Sequence, residues 1–200
     1  MYWKDSLGRN YSSLGKLKSS LENKSEKLIF AMNGGMYLKD ASPQGLYIEN
    51  GNIIKNLDTI KKAYGNFYLQ PNGVFFLSKQ GKAFVRQSSE FVLKDDIKYA
   101  TQSGPMLLIN GEIHPKFTRG SNNINIRNGV GILENGDVLF AMSKDKINLY
   151  DFANYFLSKG CKNALYLDGF VSKTYCPSKN WNDLGGNFGV IIGLSEKVKS

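Results

Sequence analysis

"NLYDFANYFLSKGCKNALYLDG", residues 148–169, carries a helix signal and a strand signal back to back. Asp151 can cap a short helix bearing Phe152, Ala153, Phe156 and Leu157, and Gly160 fits the position just past its end. Ala164 to Leu167 then reads as a buried strand. Upstream the punctuation is different. Asn-Gly pairs recur at 50–51, 72–73, 110–111, 128–129 and 135–136, most of them between short runs of β-branched and aromatic residues. Asn-Gly supplies the positive φ of type I′ turns, so "LYIENGNII" (46–54), "LLINGEIH" (107–114) and "GILENGDVLFAM" (131–142) predict hairpins. A helix set among hairpins makes the class α+β: a mixed, mostly antiparallel sheet with a few short helices.

Working outward, "YSSLGKLKSSLENKSEK" (11–27) places Leu14, Leu17 and Leu21 on one helical face, with Ser12 or Ser13 as N-cap. "KLIFAMNGGMY" (27–37) then predicts a buried strand from Leu28 to Met32. No linker, repeat or low-complexity stretch divides the 200 residues, which predicts one domain over 1–200.

Composition narrows the function classes. The formal charge of +9 and pI near 9.4 suit anionic partners. The lysines are scattered and interleaved with acids, however, rather than blocked with aromatics as in a nucleic-acid groove, so no nucleic-acid partner is expected. No stretch approaches the roughly 20 apolar residues of a membrane span, and no export signal follows Met1. Cys161 and Cys176 are too far apart for a Cys-x-x-Cys metal knuckle and are either free thiols or one bridge. With His114 the single histidine, neither a histidine-based zinc site nor a Ser-His-Asp triad is expected unless His114 is itself the base.

Four stretches invite a chemical reading. Gly34 and Gly35 follow a buried strand, where backbone N–H groups can approach a ligand, or where the chain simply turns tightly. Gln102, Ser103, Gly104 and Pro105 interrupt two apolar runs; the break is a structural bulge or a place where polar groups meet a pocket. Arg127, close to Gly129 and Gly131, offers a planar fork suited to phosphate or carboxylate. Asp168 closes the apolar run "ALYL" and precedes Gly169, which fits either a turn residue or a working acid.

Taken in order, "FAMNGGMY" (30–37), "YGNFYLQPNGVF" (64–75), "ATQSGPMLLING" (100–111), "RNGVGI" (127–132) and "NALYLDGFVSKTY" (163–175) resemble the bacterial branch of the phosphodiester glycosidase family. The lysosomal uncovering enzyme of animals is related to that branch. The resemblance runs from roughly Leu7 to Ile192. It departs from the animal-type pattern after the aspartate, where a more glycine-rich turn is replaced by Gly169-Phe170-Val171-Ser172. The chain as given reads as cytoplasmic and of bacterial or phage source, although many relatives are extracytoplasmic.

The resemblance implies a hydrolase that cleaves a sugar-1-phosphodiester between sugar C1 and the phosphate oxygen, releasing sugar and a phosphomonoester. The substrate is a small molecule or a polymer. Such a leaving group has a second pKa of about 6, so charge stabilisation matters more than its protonation. The expected catalytic set is Asp168, as base for water or nucleophile at C1, and Arg127, as phosphate clamp. His114 is either an auxiliary acid or a loop residue. The expected substrate contacts are Asn33, Gly34, Gly35, Gln102, Ser103, Gly104, Asn128, Gly169 and Ser172. The scheme requires no cofactor and leaves room for a divalent cation. The competing classes are a non-hydrolysing binding protein for a phosphorylated sugar or nucleotide, and a carbohydrate-adhesion domain. The sequence carries no signature of oligomeric state.

Overall fold

Helix α1 (Leu14–Glu22) forms where the leucine spacing puts it, with Ser13 as N-cap accepting from the Lys16 N–H. The chain continues through β1 (Glu26–Asn33), β2 (Tyr47–Glu49), β3 (Asn52–Lys55), β4 (Gly73–Ser78), β5 (Ala83–Gln87) and β6 (Ile97–Ser103). After a break come β7 (Met106–Ile109), β8 (Glu112–Ile113), β9 (Asn128–Ile132), β10 (Val138–Met142) and helix α2 (Leu149–Ser158). The last strands are β11 (Asn163–Asp168), β12 (Thr174–Cys176), β13 (Trp181–Asn182) and β14 (Ile191–Lys197). This computed structural model describes residues 1–169 and 171–198; Phe170, Lys199 and Ser200 lie outside the described residues.

The strands form three sheets, ordered β13-β12-β1-β14, β10-β9-β11-β7-β8 and β3-β2-β6-β4-β5. Every ladder between the described strands is antiparallel, so the class is α+β and the expected mixed sheet resolves into antiparallel ones. The three predicted hairpins are present as β2–β3, β7–β8 and β9–β10. Asn50 and Gly51 (φ 52° and 82°) and Asn110 and Gly111 (φ 51° and 90°) take the left-handed conformation that their turns require. Gly136 (φ 89°) does so in the β9–β10 turn, and the remaining two Asn-Gly pairs do different work. Asn72-Gly73 leads into β4, and Asn128-Gly129 lies inside β9, where a Cβ on Gly129 would come within 2.9 Å of the Leu165 carbonyl.

One apolar core joins the three sheets, with Met32, Tyr47, Phe75, Met106, Val130, Leu165 and Ile192 all buried in it. Helix α1 covers the outer face of the first sheet through Leu14, Leu17 and Leu21, and α2 covers the second through Phe152, Ala153 and Phe156. The start of α2 differs from the sequence reading. Asn148, not Asp151, is its N-cap, and the two side chains bond reciprocally: the Asp151 N–H donates to Asn148 Oδ1 and Asn148 Nδ2 donates to Asp151 Oδ2. Either residue can cap, and only the backbone path chooses between them. Leu157, expected on the apolar face, is exposed.

The break at Gly104-Pro105 carries the chain from the third sheet to the second, since β6 ends at Ser103 and β7 starts at Met106. That crossing makes β11 the middle strand of its sheet, with β9 on one side and β7 on the other.

Candidate active site

Asp168 is the last residue of β11 and only 7% exposed. Its backbone is fixed by side chains from distant segments. The Asp168 N–H donates to Asn128 Oδ1 at 2.9 Å, and Asn128 Nδ2 donates to the carbonyl and Oδ1 of Asn33 at 2.8 and 3.1 Å. Asn33 Oδ1 also accepts from the Lys173 N–H at 2.9 Å, whereas Asn33 Nδ2 is a buried donor without a partner among the described residues. Ser172 closes the turn after the aspartate by donating its hydroxyl to the Asp168 carbonyl at 3.0 Å. Asp168 Oδ1 accepts from the Gly169 N–H at 2.6 Å.

Tyr166, two residues earlier, borders the same cleft as Asp168, although β11 shifts its register against β9 between the two. Its hydroxyl accepts a hydrogen bond from Arg127 Nη1 at 2.8 Å, and the guanidinium carbon stands 5.3 Å from the ring centroid. A Cβ on Gly169 would overlap Tyr166 Oη, so the phenol requires glycine after the aspartate. Burial pushes the Tyr166 phenol up to about 12, with Asp168 adding to the rise and Arg127 opposing it. Tyr37 is raised by burial first and by the Asp168 charge second, which places a second phenol in the carboxylate's field.

Asp168 lines two adjoining clefts. One, of about 240 Å³, is bounded by Met36, Asn66, Asn125, Tyr166 and Gly169. The other, of about 320 Å³, is bounded by Met36, Tyr37, Leu38, Lys39, Gln44 and Val171. Met36 and Asp168 border both.

Arg127 and Asp168 come to the same end of adjacent strands, since Asn128 pairs with Asp168. Arg127 is nevertheless not an open fork. It is 1% exposed, with Nε donating to the Ile147 carbonyl, Nη2 to the carbonyl and Oδ1 of Asn123, and Nη1 to Tyr166. The guanidinium reaches the cleft through the phenol rather than directly.

Several expected contacts are committed elsewhere. Gln102 Oε1 accepts from the Leu46 and Asp58 N–H groups, and Nε2 donates to the Asp58 carbonyl and Ser88 Oγ, so the side chain ties three segments together. Ser103 Oγ donates to the Leu167 carbonyl. The Gly34 N–H donates to the Val190 carbonyl, and a Cβ there would press on Ile192 at 2.7 Å. Gly35 packs on Thr101, and Gly104 on Asn72 and the Phe67 carbonyl. A side chain at any of the three would press on its neighbours, and the Gly34 N–H is already committed to the backbone. His114 is buried, stacks on Phe117 at 4.7 Å, accepts from the Lys116 N–H at Nδ1 and faces the Gln70 carbonyl with Nε2. It borders neither Asp168 cleft, and burial lowers its pKa, opposite to what an acid at neutral pH needs.

Tyr166, Tyr37, Lys39, Asn66 and Asn125 were not singled out from sequence. Tyr166 carried a readable signal, its two-residue offset from Asp168. Asn66 opens a 3₁₀ turn (Asn66–Tyr68) and the others lie outside the helices and strands, none with a periodic pattern. Among the described residues no three His, Cys, Asp or Glu side chains cluster as a metal site, and both cysteines are free thiols.

A family model for phosphodiester glycosidases matches residues 26–189. The uncharacterized protein YigE of Escherichia coli K12 is 39% identical over 176 residues, covering 88% of this chain and 68% of YigE. Among solved structures, the catalytic domain of zebrafish N-acetylglucosamine-1-phosphodiester alpha-N-acetylglucosaminidase, auto-inhibited by its pro-peptide, matches with a TM-score of 0.60 at 20% identity. That match covers 84% of this chain and 63% of the zebrafish chain. A hypothetical protein from Synechocystis matches with a TM-score of 0.52 at 11% identity, over 92% of this chain and 53% of the other. The chain thus spans less than two thirds of either solved chain, and at these identities the likeness is one of fold.

Proposed function

The chain belongs to the phosphodiester glycosidase family, and from that premise we propose that it hydrolyses the bond between sugar C1 and a phosphate oxygen in a sugar-1-phosphodiester. The observation that carries the reading is a buried carboxylate, Asp168, at the junction of two clefts of sugar-sized dimensions. One cleft offers the amides of Asn66 and Asn125, suited to sugar hydroxyls, and the other is rimmed by the exposed cation of Lys39, suited to a phosphate. The C1–O bond breaks with its electron pair on the phosphate oxygen, and water supplies the hydroxyl that C1 keeps. Asp168 either takes the proton of that water or attacks C1 first. Asn33, Asn128 and Ser172 hold the carboxylate's backbone.

The scheme uses no cofactor, so turnover is expected to survive a chelator. The test is a panel of sugar-1-phosphodiesters incubated with wild type and Asp168→Asn, with free sugar and its initial anomer followed by NMR. Wild type releases sugar, and Asp168→Asn binds the same ligands with turnover reduced at least about 1000-fold, as loss of an activated nucleophile or base demands. Equal turnover by Asp168→Asn would remove the carboxylate from the mechanism. Recovery of every ligand intact from wild type would favour the sequestering alternative.

A further inference from the structure

We propose that Tyr166 is a further catalytic residue, whose hydroxyl hydrogen-bonds the phosphate oxygen leaving C1, and that Arg127 is the positioning residue acting through it. The inference rests on the sugar-1-phosphodiester reading above.

A phenol oxygen can accept from one group while donating its single proton to another. At Tyr166 the accepting side is occupied by Arg127 Nη1, and among the described residues no acceptor faces the proton. Buried tyrosines ordinarily find such a partner. Here the side chain lines the 240 Å³ cleft beside Asp168, so the proton is offered to whatever fills that cleft. A structural role accounts for the ring, in one apolar cluster with Phe152, Phe156 and Leu107, and for the bond accepted from Arg127 Nη1, but it leaves the hydroxyl proton unused. Gly169 leaves room for the oxygen itself.

The placement suits bond cleavage. Tyr166 and Asp168 border one cleft, and the carboxylate's charge is felt at the phenol, so a carbon held there can meet the carboxylate on one side and have its departing oxygen at the phenol. The phenol acts by hydrogen bonding, not by giving up its proton. A group with a pKa of about 12 does not protonate a phosphate monoester of second pKa about 6. As the C1–O bond breaks, the electron pair collects on the bridging oxygen, and the fixed O–H dipole meets it. The guanidinium behind it polarises that dipole and keeps it aimed.

The test compares wild type, Tyr166→Phe, Arg127→Lys and the double variant on two substrates, a sugar-1-phosphodiester and its analogue with sulfur at the bridging position. Tyr166→Phe is expected to lower kcat about 100-fold on the oxygen substrate, the usual loss for one such donor, and less than about tenfold on the sulfur analogue, which accepts hydrogen bonds weakly. Arg127→Lys should lower kcat in the wild-type background and add little once Tyr166 is phenylalanine. Gly169→Ala provides a second route, since its Cβ displaces the hydroxyl while leaving Tyr166 in the sequence; it should lower kcat on the same substrate. Equal losses on both substrates, or wild-type kcat in Tyr166→Phe, would overturn the role of Tyr166 and leave the hydrolase reading standing. If wild type releases no sugar from either substrate, the hydrolase reading falls and takes this role with it.

Discussion

Replacing Gln102 with alanine separates a ligand contact from a structural tie. The side chain serves the Leu46 and Asp58 N–H groups at 3.0 and 2.9 Å and the Asp58 carbonyl at 2.8 Å. Truncation leaves all of these backbone groups without that partner. Leu46 is fully buried, so its orphaned N–H costs about 1–3 kcal/mol, while the half-buried Asp58 groups, within reach of water, cost about 1 kcal/mol each. The sum is about 3–5 kcal/mol, a large part of the roughly 5–15 kcal/mol that holds a domain together. With a urea slope of about 2–3 kcal/mol/M, the unfolding midpoint should fall by roughly 1–2 M. Urea melts followed by tryptophan fluorescence measure it, with turnover of the folded fraction assayed alongside. A midpoint within a few tenths of a molar of wild type, combined with a large loss of turnover, would refute the structural assignment and restore Gln102 to the substrate.

Three further outcomes follow from the same geometry. His114 is buried with its pKa held below the ordinary 6.5, so the unfolded chain takes up the proton first. Its contribution is complete above about pH 6.5 and is lost as pH falls through that value toward the folded pKa. His114→Gln should therefore flatten the loss of urea midpoint between pH 7 and 5, and should leave kcat near wild type; a large loss of kcat would return His114 to the site. Asn148→Ala removes the cap of α2 and should cost about 1 kcal/mol, whereas a larger cost from Asp151→Ala would reinstate Asp151 as the cap. Cys161 is buried and its thiol is pushed up by burial, while Cys176 is partly exposed. A chromogenic disulfide should titrate one thiol quickly in the native protein and both in urea; two fast thiols would contradict the packing of Cys161.

The fold was legible where local chemistry decides it. Asn-Gly pairs with room to adopt positive φ made the hairpins plain, and leucines at helical spacing did the same for α1. The same dipeptide misleads at Asn128-Gly129, because there the glycine answers to a neighbouring strand and the asparagine to Asn33, both far away in sequence. In the candidate site, the ordered motifs pointed to Asp168, and strand pairing brings Arg127 beside it. What sequence could not show is which polar atoms remain available after folding. Gln102 and Ser103 look like pocket residues in a list of motifs, yet their bonding capacity is taken up by backbone groups of other segments. Arg127 is similarly committed, and only coordinates reveal the phenol standing between it and the cleft.

The amide relay from Asn33 through Asn128 to Asp168 has a temporal consequence. Asn33 sits on β1, which is held along its length by β14, a partner more than 150 positions further along the chain. During synthesis, the relay is therefore expected to be set only once β14 has emerged and paired with β1. A molecule cut ahead of β14 would keep every residue lining the two clefts and lose the strand that seats Asn33.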